Sequence, residues 1–256
     1  MVATARRAAT MKDLADRYPD RVSAVALDVC DAEQCEAAVA HAVDRFGGVD
    51  VLVNNAGAGL FGAVVEVSDD ELRAQLEVLT VAPWRLTRLV LPLMCRQGSG
   101  HVVNVSSIAG RMGLPGLSAY VTGKYALEGM SQALAAEVAP FGIRVHAVEP
   151  GGYGTSLAEA AGRIPAYAQS TGDVEAGLRA MPGNPGLSQP EVFAHHVLRL
   201  VASPTAPLRV PIGADAYDFV GAVEAAGRAE LAAAHAFVHD PAERPGEDAA
   251  PVTPTV

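Results

Sequence analysis

Along the chain, short runs rich in β-branched residues alternate with stretches whose apolar positions recur every three or four residues. Val2–Ala5 reads as a strand and Lys12–Tyr18 as part of a helix. Val22–Leu27 and Val49–Val53 read as strands on either side of a helix over Ala32–Phe46, in which Ala38, Val39, Ala42, Val43 and Phe46 form the apolar face. Asp69–Gln97 is a long helical stretch containing Pro83 and Pro92, and Ser68-Asp69-Asp70-Glu71 has the form of a capping box at its start. The pattern continues with a strand at His101–Val105, a helix at Ser118–Val138 and a strand at Ile143–Val148. A helix near Glu191–Ala202, a short strand at Leu208–Ile212 and a helix at Asp215–Phe237 complete it.

Strands alternating with helices imply parallel strands joined by helical crossovers, so the expected fold class is α/β, a doubly wound parallel sheet. Val51-Leu52-Val53 and Val102-Val103 lack polar alternation, as strands covered on both faces should. One domain over residues 1–239 is expected, followed by a disordered tail, because Asp240–Val256 holds four prolines and several acidic residues. Tyr153–Leu187, mixing Ala, Gly and Pro with few charges, is expected to form a lid over a neutral, fairly apolar substrate.

Composition narrows the function classes. Half of the 256 residues are apolar and the net charge is −10, with no cluster of Lys and Arg to neutralise phosphates, so a nucleic-acid partner is excluded. Cys30, Cys35 and Cys95 form no CxxC pair, which suits buried thiols in a reducing compartment. Met1–Arg7 is charged too early for a signal peptide, and the apolar run Leu86–Met94 is interrupted by Arg88 and Pro92. A cytoplasmic protein without a membrane partner is the expectation. His195-His196 lacks an HExxH context or a third ligand, so no metal is expected.

The candidate chemistry lies at strand ends. Tyr120 and Lys124 stand at i and i+4 on one helix face, and a cation there should favour the phenolate, lowering the tyrosine toward neutral pH. Such a group donates a proton to a carbonyl oxygen or takes one from an alcohol. Ser106-Ser107 ends the strand before it, with Ser107 thirteen residues ahead of the tyrosine. Asn54-Asn55-Ala56-Gly57 and Glu149-Pro150-Gly151-Gly152 end two further strands. In a parallel sheet, ligands sit beyond the carboxyl ends of the strands, so three compact polar loops on one edge describe a cofactor crevice.

With LDVCD at Leu27–Asp31, NNAG at Asn54–Gly57, NVSS at Asn104–Ser107, YVTGK at Tyr120–Lys124 and EPGG at Glu149–Gly152, the chain resembles the short-chain dehydrogenase/reductase family. The resemblance runs from Val2 to Ile212. It implies a Rossmann-type fold and hydride transfer between a nicotinamide cofactor and a small-molecule carbonyl or secondary alcohol. It makes Tyr120 the general acid/base, Ser107 the group that polarises the carbonyl, and Lys124 the cation that also holds the nicotinamide ribose. Asp28 and Val29 would flank the adenine, and Asn54 the adenosine ribose. Pro150, Gly151 and Thr155 would meet the nicotinamide end. A homo-oligomer is expected, through the helix at Ala119–Val138. Arg6 and Arg7 follow the first strand, where a guanidinium suits a 2′-phosphate; the cofactor expected is therefore NADP, with NAD possible.

The chain departs from the family pattern twice. Leu79 stands where the family carries an asparagine in a proton relay, and Thr80 should point about 100° away around an α-helix. The family's first strand and its glycine-rich phosphate loop have no counterpart ahead of Val2, so an N-terminally truncated domain is expected, lacking the strand that lies between Val2–Ala5 and Val49–Val53. Gly57-Ala58-Gly59-Leu60-Phe61-Gly62 matches GxGxxG literally, but the next helix signal is Ser68, and its acidic residues would repel a phosphate. These departures support an alternative reading: a non-catalytic family member acting as a binding or regulatory subunit.

Overall fold

The computed structural model describes residues 1–153, 168–181, 184, 187–213 and 215–239. The expected tail at Asp240–Val256 and most of the expected lid therefore lie outside the described residues. The strands are β1 (Val2–Ala5), β2 (Ser23–Ala26), β3 (Val51–Asn54), β4 (Gly100–Val105), β5 (Ile143–Pro150) and β6 (Arg209–Ile212). The helices are α1 (Lys12–Arg17), α2 (Ala32–Phe46), α3 (Asp69–Leu76), α4 (Ala82–Gln97), α5 (Ser118–Val138), α6 (Ala168–Arg179), α7 (Pro190–Ala202) and α8 (Ala216–Val238). Helix α6 falls in the stretch expected to be a lid and was not foreseen as a helix.

All the pairings are parallel, as the alternation requires, but they form two sheets, β1-β2 and β3-β4-β5-β6. No strand among the described residues joins β1 to β3, the pair between which the resemblance places a further one. Val51 and Val53, expected to be covered on both faces, are consequently 36% and 44% exposed, because β3 is an edge. The two sheets are tied through α2: Cys35 and Ala38 meet Leu27 and Val25 from the β2 side, and Leu86 and Leu52 from the other.

Helix ends follow local chemistry. The Asp31 side chain accepts from Gln34 N at the start of α2, and Gly47 ends it with φ +83°, a conformation that favours glycine. The expected capping box at Ser68 and Glu71 is formed. Asp69–Gln97 is long and apolar enough by composition to cross a bilayer, yet its apolar face is spent inside this fold. Val90 and Met94 are buried against Val102, Leu134, Val138 and Val145, and burial of each such side chain is worth about 1.5–3 kcal/mol. Midway, Glu77–Val81 forms one π-helical turn, which rotates the residues that follow relative to a regular helix.

Candidate active site

The parallel registers place Asn54 level with Asn104, Val105 with Val148, and Pro150 with Ile212. The polar loops after β3, β4 and β5 therefore open on one edge of the four-stranded sheet, as the strand-end reading requires. Helix α5 lies on this sheet with Tyr120, Gly123, Lys124, Leu127 and Glu128 buried. Leucine-rich turns at Leu114 and Leu117 pack with Phe61, Leu79 and Ala109 around Tyr120, and Val174 and Leu178 of α6 cover that cluster.

Tyr120 and Lys124 share one face of α5, the ammonium lying 5.6 Å from the centre of the phenol ring. Ser107 begins a short 3-10 turn, its hydroxyl accepting from Ala109 N at 3.1 Å. Burial pushes the Tyr120 phenol up to about 12, with the Ser107 side chain offsetting part of this. That corrects the expectation of a tyrosine lowered toward neutral pH. Loss of hydration drives the rise, and the neighbouring Lys124 Nζ donates to Val105 O at 2.7 Å. Burial also pulls Lys124 down, to about 8, against the opposing pull of Glu128.

Asn54 points into the fold. Its Nδ2 donates to Asn104 Oδ1 at 2.8 Å, and Asn104 Nδ2 donates to Ser131 Oγ at 2.8 Å, so the two asparagines fasten β3, β4 and α5. Asn54 Oδ1 is buried with no partner. Asp28 is half-buried, its N–H donating to Gln34 Oε1 and its carboxylate accepting from Cys30 N. The Val29 carbonyl accepts from Arg85 Nη1 at 3.0 Å. After β5, Gly151 N donates to Ile212 O, and Gly152 N donates to Asp215 Oδ2 at 2.8 Å. A Cβ on Gly151 would collide with the Asp215 carboxylate, so only glycine fits this turn. Pro150 closes β5 beside it, Arg6 is exposed after β1, and Thr155 lies outside the described residues.

Thr80 departs from the sequence expectation. Its Oγ1 donates to Gly123 O at 3.2 Å, so it faces α5 rather than pointing away. The π-helical turn is the reason, since it spreads more residues per turn and brings both Leu79 and Thr80 toward α5. The GxGxxG of Gly57–Gly62 opens no helix; the next one begins at Asp69, and no pyrophosphate cradle of strand, glycine turn and helix appears among the described residues. No group of three or more His, Cys, Asp or Glu able to hold a metal occurs among them either. The sequence reading missed a buried charge cluster behind Lys124, formed by Glu128, Glu149 and Arg111. Its one sequence signal was a glutamate four residues after the lysine.

A family model described as short chain dehydrogenase matches residues 1–164. The chain belongs to the short-chain dehydrogenase family. It is an oxidoreductase of that type, and the neighbours agree. The oxidoreductase BOA17 of Botryotinia fuckeliana is 38% identical over 226 residues, 86% of this chain and 82% of that protein. A crystal structure of a short-chain dehydrogenase from Streptomyces avermitilis is 41% identical with a TM-score of 0.83, covering 94% of this chain and 88% of the other. An alcohol dehydrogenase from Thermococcus sibiricus, complexed with 5-hydroxy-NADP, is 25% identical with a TM-score of 0.66, over 82% of this chain and 83% of that one. Against several other curated relatives, the chain spans only 55–58% of their length. For this short-chain dehydrogenase the nicotinamide half of a dinucleotide fits the donor set at this sheet edge: two hydroxyls, an ammonium and the glycine turn at Gly151.

Proposed function

We propose that this chain transfers a hydride between NADP(H) and a small carbonyl or secondary alcohol, with Tyr120 as general acid/base. The observation that carries the reading is Tyr120 and Lys124 on one buried face of α5, with the Ser107 side chain against the phenol, at the carboxyl edge of parallel strands. When bound, the nicotinamide supplies or accepts the hydride. Lys124 would hold the nicotinamide ribose together with Tyr120, and Pro150, Gly151 and Thr155 would border the ring. Asp28 and Val29 would flank the adenine, and Asn54 would offer the ribose its backbone, since its amide is engaged in the fold.

With its phenol raised to about 12, Tyr120 keeps its proton throughout the neutral range. It is set to donate that proton to a carbonyl oxygen. Ser107 orients and polarises the same oxygen, and the apolar cluster of Phe61, Leu117, Val174 and Leu178 excludes water around it. A second reading, a non-catalytic binding member, is favoured by the apolar Leu79 in the family's relay position and by the lack, among the described residues, of a strand, glycine turn and helix to cradle a pyrophosphate. Replacing Tyr120 by Phe separates the two. Turnover of NADPH with a panel of carbonyl compounds should fall by at least ~10²-fold while cofactor binding persists. Near-normal turnover in the variant would reject Tyr120 as the acid.

A further inference from the structure

Behind the tyrosine–lysine pair lies a cluster of charges that the proposed reaction does not use directly. Glu128 stands one turn past Lys124 on α5, and Glu149 lies near the end of β5; both are almost wholly buried. Arg111, just after the 3-10 turn that Ser107 starts, places Nε 2.8 Å from Glu149 Oε1 and Nη1 3.1 Å from Glu224 Oε1 of α8. Arg209, on β6, places Nε 3.4 Å from Glu128 Oε2. Ser106 also lies here: a Cβ on Gly110 would come within 2.7 Å of Ser106 Oγ, 2.9 Å of Glu128 Cγ and 3.3 Å of Lys124 O. Gly110 thus lets the 3-10 turn sit down on α5, closing the cluster from water.

The charges balance at two depths. Among the inner groups, Glu149 pairs with Arg111, and Glu128 stands one helical turn from Lys124. At the rim, the part-exposed Glu224 pairs with Arg111, and Arg209 with Glu128. Arginine does not give up its proton, so within the cluster Lys124 is the cation that can become neutral. Removing one inner negative charge would leave an excess positive charge out of reach of water, and the least costly relief is loss of the lysine proton.

We propose that Glu128 is a positioning residue that keeps Lys124 in its ammonium form by completing this charge-balanced cluster. Burial works against that form, and Glu128 is the charge that works for it. Burial pushes the Glu128 carboxyl up, with Glu149 adding to this, while Ser106, Arg209 and Arg111 favour its ionised form. The cluster thereby links α5, β5, β6, α8 and the turn after β4 to the charge on one lysine. The consequence for turnover rests on the proposed role of Lys124; the titration of the lysine does not.

The chain holds two lysines, the exposed Lys12 and the buried Lys124, so protein labelled with 13Cε-lysine gives two resolvable titrations. In Glu128→Gln, the Lys124 midpoint should move toward acid by about one pH unit or more, with Lys12 unmoved, and Glu128→Asp should restore most of the shift. General loosening of the fold would return water to the ammonium and move the midpoint toward alkali, not acid. An unmoved Lys124 midpoint in folded Glu128→Gln overturns the proposal. Should that variant fail to fold, an unmoved Lys124 midpoint in folded Glu128→Ala overturns it equally. In turnover, the alkaline limb of kcat/KM should follow the lysine midpoint. If Tyr120→Phe keeps its activity, the functional reading fails while the lysine titration still judges the cluster.

Discussion

Leu79 lies directly on Gly123: a Cβ built on that glycine would come within 2.8 Å of Leu79 Cδ1 and 2.9 Å of its Cβ. The contact seats the π-helical turn against α5 between Tyr120 and Lys124, and Thr80 adds a hydrogen bond to the Gly123 carbonyl. Leu79 itself is 1% exposed, so the position that resembles a polar relay site is filled by core. Gly123→Ala should therefore overpack this contact and cost about 1–3 kcal/mol, read as a lower urea midpoint at unchanged slope. Leu79→Asn should lower stability but raise turnover per folded molecule, measured with active-enzyme normalisation. An unchanged rate in folded Leu79→Asn would show that a relay at this position does not limit the reaction.

Lys124 and Tyr120 make opposite contributions to stability as pH rises. Lys124 sits near 8 in the fold against 10.5 ordinarily, so between these values the unfolded chain binds more protons and stability climbs with pH. Tyr120 sits near 12 against 10.0, so above pH 10 the folded chain binds more protons and stability falls. Urea unfolding should show a rise of order 1–3 kcal/mol between pH 8 and 10 that Lys124→Met abolishes. The same rise in the variant would contradict the buried ammonium.

Arg6 is exposed just past β1, where a guanidinium could pair with a 2′-phosphate. Arg6→Ala should weaken NADPH binding by about 10- to 100-fold and leave NADH nearly unaffected, as titration calorimetry would register. Equal losses for the two cofactors would remove the basis for preferring NADP.

The open edges at β1 and β3 present unpaired backbone groups beside the exposed Val51 and Val53. The Met1–Val256 chain should therefore melt early and scatter light on warming, and Val53→Lys should raise its soluble fraction. A cooperative, high-temperature transition without aggregation, together with micromolar NADPH binding, would show that these edges are harmless.

Apart from α6 and the π-helical turn within Asp69–Gln97, local pattern was enough for the element order. The observed Ala32–Phe46 and Ser118–Val138 helices have the bounds their periodicity suggests, and the capping box at Ser68 formed as its residues dictate. These features depend on neighbours three or four positions away, which the sequence displays directly. The strand-end loops and the Tyr120–Lys124 spacing were legible for the same reason. What only the tertiary structure decided depends on groups distant in the chain. The inward turn of Asn54 needs Asn104 fifty residues on, and the approach of Thr80 to Gly123 needs a π-helical turn packed on α5. The raised phenol of Tyr120 reflects water excluded by several elements at once, and the Glu128 cluster draws its cations from Arg111 and Arg209. Desolvation and charge pairing are properties of the assembled interior, so one helix face cannot report them.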